Sequence, residues 1–298
     1  MIVLDEATVA QHMPSPATAI DAMDEALRAI ATGAASVTPK NQVTFPSGFA
    51  NAMPAAWPAK NLLGMKWVKI AASIEANILL DDPHSGHTTA MIAGTGVTGL
   101  RTAAVTGASL RRLEPDAHRA VFMGTGVQAR SHAQIFETLG YHTMFVWGRR
   151  PAAVSELQQW AATHTPDLTI TPIDHDEIYS HKIIVSGLAF GASGYELDLA
   201  RLRPDASLLP IDYATVVGSD IAKQCALFAD DPEQFNSLLS YKFPAGYPQA
   251  HQATGDFFDA PRPQGRVLVQ NLGSGLGDVV FADLIVRSWK NAQESSTD

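Results

Sequence analysis

Between Ala120 and Trp147 the chain carries a unit that few folds can accommodate. The apolar run Ala120-Val121-Phe122-Met123 passes directly into Gly124-Thr125-Gly126-Val127-Gln128-Ala129. A helical stretch over Val127–Leu139 and a second apolar strand, Thr143–Trp147, follow. Two glycines between a strand and a helix permit a tight turn and let a ligand approach the backbone. The helix then presents unpaired N–H groups and the positive end of its dipole, a seat for an anion such as a pyrophosphate. The alternation continues with a helix over Pro151–Ala162 and strands at Thr169–Pro172, Ile183–Ser186, Ser207–Ile211 and Ala226–Ala229. Such alternation implies an α/β chain with a Rossmann-type, doubly wound parallel sheet.

A second segment satisfies the same glycine pattern. Gly94-Thr95-Gly96-Val97-Thr98-Gly99 reads G-x-G-x-x-G literally, before a helix expected over Gly99–Leu113 with Thr98 as its N-cap. Context separates the two. The first motif follows a weaker, Thr-rich strand, and its helix leads into the second motif rather than to a strand with a ribose-reading end. It reads as a connection between sheets, and Gly124, Thr125, Gly126, Val127 and Gln128 as the dinucleotide turn.

Where the second strand of the unit ends, an Asp or Glu would hold the ribose hydroxyls of NAD. The residues here are Gly148-Arg149-Arg150, with no carboxylate. Two guanidiniums can clamp a 2′-phosphate through charge-assisted hydrogen bonds, so NADP(H) is expected as the preferred cofactor, with NAD(H) the alternative.

Upstream the texture differs. Ala7–Ala31 has helical spacing, and from Val37 to Ile92 short extended pieces are broken by proline and glycine. Strands are expected at Gln42–Phe45, Gly64–Ile70, Asn77–Asp81 and Thr88–Ala93, with a hairpin turn at Asp82-Pro83-His84-Ser85-Gly86. Tyr241–Gly265 reads as a long ordered loop, Asp278–Trp289 as a final apolar helix and Asn291–Asp298 as a frayed tail. The change of texture sets the α+β region of residues 1–105 apart from the alternating unit. The Rossmann domain takes residues 106–272.

With 298 residues, 46% of them hydrophobic, the chain can bury two cores. A net charge of −9 argues against a nucleic-acid partner, which would require many phosphate-neutralising side chains. The apolar runs are too short for a membrane span, and Met1–Glu6 lacks a basic leader. Cys225 is the only cysteine, so no intrachain disulfide forms, and a cytoplasmic location is expected. His84 and His87 read as turn residues rather than metal ligands, and no metal is expected.

Several segments are diagnostic together: Asn51-Ala52-Met53-Pro54, Gly64-Met65-Lys66-Trp67-Val68, Asp82…Ser85-Gly86, Thr98-Gly99-Leu100-Arg101-Thr102-Ala103-Ala104, the Gly124 turn, and Leu272-Gly273…Gly277-Asp278. In order and spacing they resemble the ornithine cyclodeaminase/mu-crystallin family, most specifically from Lys66 to Ala129. The resemblance implies a small-molecule substrate, a homodimer, and a substrate-binding and dimerisation domain over residues 1–105 completed by a C-terminal helix in 273–298. It implies Lys66 as the lysine contacting the substrate carbonyl or carboxylate, Arg101 as a carboxylate-binding arginine, Ser73 at a cofactor- or substrate-side position, and Asp212 as the acid/base. The chain departs from the family in two places: Asn41 stands where a second carboxylate-binding arginine is usual, and Asn51 where ornithine-cyclising members carry glutamate. From the residues alone, Arg101 near the positive end of its helix favours an anionic ligand, and a buried Lys66 needs an anionic or carbonyl partner.

The expected activity is NADPH-dependent reduction of a C=N or C=O bond in a small, carboxylated substrate. An amino-acid cyclodeaminase and a non-catalytic NADPH-dependent binding protein are the alternatives.

Overall fold

The computed structural model describes residues 1–189 and 192–295. Two sheets organise the chain. The first contains β1 (Ile2–Leu4), β2 (Ser36–Val37), β3 (Asn41–Phe45), β4 (Gly48–Trp57), β5 (Leu62–Ile70), β6 (Ile74–Asp81) and β7 (Thr88–Ala93). Its order is β1-β7-β6-β5-β4-β2, with β3 also on β4; β1 runs parallel to β7 and the other pairs are antiparallel. The second contains β8 (Arg119–Met123), β9 (Thr143–Trp147), β10 (Thr169–Pro172), β11 (Ile183–Ser186), β12 (Ser207–Pro210), β13 (Cys225–Ala229), β14 (Gln252–Ala253) and β15 (Arg266–Gln270). Every pairing in it is parallel, in the order β10-β9-β8-β11-β12-β15-β13-β14. Strand order reverses between β8 and β11, and the crevice beyond their carboxyl ends is where such sheets bind ligands.

The helices are α1 (Glu6–Gln11), α2 (Pro16–Ala31), α3 (Val97–Leu113), α4 (Val127–Thr138), α5 (Pro151–His164), α6 (Ser219–Ala222), α7 (Pro232–Lys242) and α8 (Gly275–Ser295). Helix α3 joins the sheets and packs against α2, α4 and α8; nearly all of its residues are buried. Gly99 and Gly107 make that packing possible, since added β-carbons would meet Ser131 Oγ at 2.8 Å and Ile135 Cγ2 at 2.6 Å. Helix α8 returns to lie on β4, β5 and β6.

Several elements differ from the sequence expectation, each for a local reason. The first helix is two, because Ser15 caps a new start at Pro16, its hydroxyl accepting from Thr18 N at 3.2 Å. Strand β4 is masked in sequence by Gly48 and Pro54; Pro54 sits opposite Met65 as a strand residue that lacks an N–H. Helix α7 and strand β15 fall between Ala229 and Leu272, where no element was expected apart from a loop. Thr98 is not the N-cap of α3: the helix starts at Val97, and Thr98 lies inside its first turn. The expected frayed tail is helical to Ser295, and residues 296–298 lie outside the described residues.

Candidate active site

The two glycine turns are built from the same four letters, Gly-Thr-Gly-Val, and differ in what meets their N–H groups. At the first, Thr95 N and Gly96 N donate to the Glu6 carboxylate at 3.1 and 3.2 Å, so α3's N-terminus is already capped by an anion from α1. Val97 behind it is fully buried. At the second, Gly126 is the N-cap of α4 with no side-chain cap, and Val127 is 72% exposed. A β-carbon at Gly126 would meet nothing within 4 Å, which leaves that space open for a ligand. Gly124 has φ +130°, and a β-carbon there would lie 2.7 Å from Gly187 O across the β8–β11 crevice. A β-carbon at Gly148, after β9, would come within 2.6 Å of Thr125 Cγ2, so the carboxyl end of β9 sits against the turn. Arg149 and Arg150 are exposed there, and Arg149 lies over the Tyr195 ring at 5.7 Å. Neither arginine has an ion-pair partner among the described residues.

Two adjoining cavities open from this edge toward the first sheet. The nearer, of about 220 Å³, is lined by Gln128, Gly187, Leu188, Ile211, Asn271 and Gly273 among others. Gln128 Oε1 and Asn271 Oδ1 are buried there with no hydrogen-bond partner in the protein, although both side-chain amides donate, to Thr98 O and Thr102 O. Two orphaned amide oxygens suit a ligand with N–H donors. The farther cavity, of about 260 Å³, is the chamber under β4 and β5. Thr98, Arg101 and Tyr213 line both, so they stand at the junction. Tyr213 is held at φ +63°, a left-handed conformation costly for a residue with a side chain and one that clusters at functional sites.

Lys66 and Arg101 meet at that junction. Lys66, 2% exposed, donates to Thr98 Oγ1 at 2.7 Å and to Asp278 Oδ1 at 3.1 Å; Arg101 Nε donates to the same oxygen at 2.9 Å. Burial pushes the Asp278 carboxyl up, but Arg101 and Lys66 outweigh it and hold it below the usual carboxylate range. Burial in turn draws the Lys66 ammonium down, against the pull of Asp278. Gly273, at φ +77°, leaves room for the Arg101 guanidinium, which lies where a β-carbon would be. Lys40 faces the same chamber, donates to Leu272 O at 2.6 Å, and is drawn down to about 8 by burial. Beneath it Asp230 accepts from Gly273 N at 2.5 Å; burial pushes its carboxyl up to about 6, with Asp231 adding to the effect. Three cations thus face two buried carboxylates, Lys66 and Arg101 on Asp278 and Lys40 near Asp230, which leaves an excess of one positive charge suited to an anionic ligand.

The structure brings Lys66, Arg101, Asn51 and Gln128 into the joined cavities and leaves other candidates outside. Asn41 is exposed on β3, while Lys40 and Gln42 line the chamber; side chains alternate along a strand, so Asn41 faces away. Ser73 sits exposed in the β5–β6 turn, away from the lining. Asp212 lines neither cavity. Its oxygens accept from Ser186 Oγ and Leu188 N, both at 2.9 Å, tying down the loop that walls the nearer cavity, and burial pushes its carboxyl up to about 6. Sequence reasoning missed Lys40 and Asp278 as site residues. An acid in the first turn of an otherwise apolar helix was the signal available for Asp278. Among the described residues, no cluster of three or more His, Cys, Asp or Glu is placed to hold a metal.

Ketimine reductase mu-crystallin from Mus musculus is 24% identical over 269 aligned positions, covering 83% of this chain and 82% of the relative. The Thermococcus litoralis Δ1-pyrroline-2-carboxylate reductase, solved with NADH and L-proline, superposes with a TM-score of 0.84 at 17% identity, covering 98% of each chain. The iminosuccinate reductase of Paracoccus denitrificans, solved with NAD⁺, superposes with a TM-score of 0.84 at 19% identity, covering 98% of this chain and 97% of that one. At these identities the solved structures establish the shared fold. The model of the ornithine cyclodeaminase/mu-crystallin family matches residues 1–187, and the chain belongs to that family.

Proposed function

We propose that the protein is an NADPH-dependent reductase of C=N bonds in small carboxylated substrates. The observation that carries this reading is the convergence of Lys66, Arg101 and Lys40 where a chamber joins the cavity leading from an uncapped dinucleotide turn. The reductases among the relatives, named for ketimine, pyrroline carboxylate and iminosuccinate, support the reaction class. The open space at Gly126 and the free N–H groups of α4 fit a pyrophosphate, and Gln128 and Asn271 fit a carboxamide. Arg149 and Arg150 support the choice of NADP(H) over NAD(H).

Held by the Gly126 turn, Gln128 and Asn271, a dihydronicotinamide would supply the hydride for the imine carbon, the C=N π pair taking up one proton at nitrogen. Arg101 and Lys66 hold the substrate carboxylate and polarise the adjacent imine; Asp278 fixes both side chains through one oxygen. Lys40, with an ammonium that releases its proton near pH 8, is placed to protonate the nitrogen. Asp212 acts at one remove, by positioning the Gly187–Leu188 wall.

Residues 1–105 with the C-terminal helix form the substrate domain in this reading, and residues 106–272 the nucleotide domain. A homodimer through the first sheet is supported by β3, exposed along its whole length and carrying Val43 and Phe45. The absence of a disulfide suits a cytoplasmic site. Among the described residues no helix is long and apolar enough to cross a membrane.

The test is loss of NADPH absorbance with cyclic imino acids, and with 2-oxo acids plus an amine. Turnover with imines is the expected outcome. Tight NADPH binding with no turnover on any of them would turn the reading into that of a binding protein.

A further inference from the structure

The chamber grades from charged to apolar along β5. Its inward positions are Lys66, Val68 and Ile70, spanning roughly 13 Å at ~3.3 Å per residue. The register sets matching layers on β4: Met53 opposite Lys66, Asn51 opposite Val68, Phe49 opposite Ile70. Ile74 of β6 lies opposite Ile70, and Leu238 and Tyr241 of α7 close the same end. Among the described residues, no Asp or Glu lines the chamber. At the far end Lys242 Nζ lies 5.2 Å from the centre of the Phe49 ring.

From this layering we infer that the substrate is a 2-imino carboxylate whose remaining part is an uncharged, apolar group of several carbons, seated between Phe49, Val68, Ile70 and Leu238. The inference deepens the reductase reading and rests on it for the imine. A distal ammonium would lose its hydration without gaining a carboxylate from the lining. Such a group is strongly disfavoured in an apolar site. A branched, aromatic or ring-borne hydrocarbon instead meets Phe49, Val68, Ile70 and Leu238, which bind by area, beside the uncharged amides of Gln42 and Asn51. The cavity of about 260 Å³ holds roughly nine water-sized groups at ~30 Å³ each, enough for the carboxylated imine and several further carbons.

The test separates binding from turnover. Protein saturated with NADP⁺ is titrated calorimetrically with amino acids of the product class: alanine, norvaline, leucine, phenylalanine, lysine and glutamate, in both enantiomers. Affinity should rise about fourfold per added methylene along the apolar series, with lysine and glutamate at least tenfold weaker than leucine. A flat series overturns the inference, and so does tightest binding of lysine or of glutamate. Graded apolar binding without reduction of the matching imines sustains the apolar seat beside a carboxylate and overturns the reductase reading alone. Ile70→Ala should remove about tenfold of leucine affinity and leave alanine unchanged, while Ile70→Glu should raise lysine affinity about tenfold. Equal losses for alanine and leucine in Ile70→Ala would also overturn it.

Discussion

The turns at Gly94–Val97 and Gly124–Val127 have the same sequence and opposite chemistry. In the first, Glu6 satisfies two N–H groups and Val97 is buried, so the turn is a structural joint. In the second the helix end is uncapped, Val127 is exposed, and the space at Gly126 is open. A glycine motif specifies a backbone that can receive an anion; a residue far away in sequence decides whether the protein supplies that anion itself.

Gly126→Val should have the largest effect on this contrast. It fills the open space, so NADPH affinity should fall more than 100-fold while the melting temperature changes little. Gly96→Val should leave nucleotide affinity intact and cost stability of about 1 kcal/mol, the scale of a disturbed cap, since its β-carbon lies 3.1 Å from Glu6 Oε2. Calorimetric titration and thermal melts of both variants distinguish the sites, and the reverse pattern would exchange their roles.

Replacing Arg149 and Arg150 together with Ala should weaken NADPH by roughly 2–4 kcal/mol, the worth of hydrogen bonds to a charged group, and spare NADH. Equal losses for both nucleotides would remove these arginines from cofactor choice. Asp212→Asn should lower turnover less than tenfold if the carboxylate only braces the Leu188 loop; a positioned proton donor would cost ~10²-fold or more. The same variant sharpens a pH effect. The folded carboxyl titrates near 6 against an ordinary 3.8, so the folded state binds the extra proton between these values. Stability therefore falls as pH rises through that window, and Asp212→Asn should remove its share of the slope and leave that of Asp230.

Lys40 gives a second pH signature, in ligand affinity and at higher pH. Its ammonium is charged below about 8 in the folded protein, so affinity for a carboxylate ligand should be full below that pH and decline above it. Lys40→Arg, charged throughout, should flatten the decline. The smallest expected change is Glu6→Gln, which removes the charge from the sealed turn. Stability should drop by about 1 kcal/mol, with NADPH affinity unchanged in titration.

What was legible in the sequence was local. The β8–α4–β9 unit shows because apolar runs and glycines sit beside one another, and the parallel sheet follows from that alternation. Strand β4 was not legible, since Gly48 and Pro54 obscure a pattern that only pairing with β5 reveals. The face of β3 was misread by one position: Asn41 was expected in the pocket, and Lys40 and Gln42 line it. A one-residue shift reverses which side chains face inward. Asp278 lies 212 positions from Lys66, and a contact at that separation leaves no periodic trace. Asp212 was legible as a strand-end acid, but its partners, Ser186 and Leu188, come from a neighbouring strand and its loop.

The most direct test of the account is a single-turnover reaction between C4-deuterated NADPH, carried on each prochiral face in turn, and a cyclic imino acid, with the product analysed by mass spectrometry. The account predicts one deuterium on the carbon bearing the carboxylate from one labelled face, in wild type and in Gly96→Val, and none in Gly126→Val. Transfer that survives in Gly126→Val, or none in wild type with NADPH bound, would contradict it.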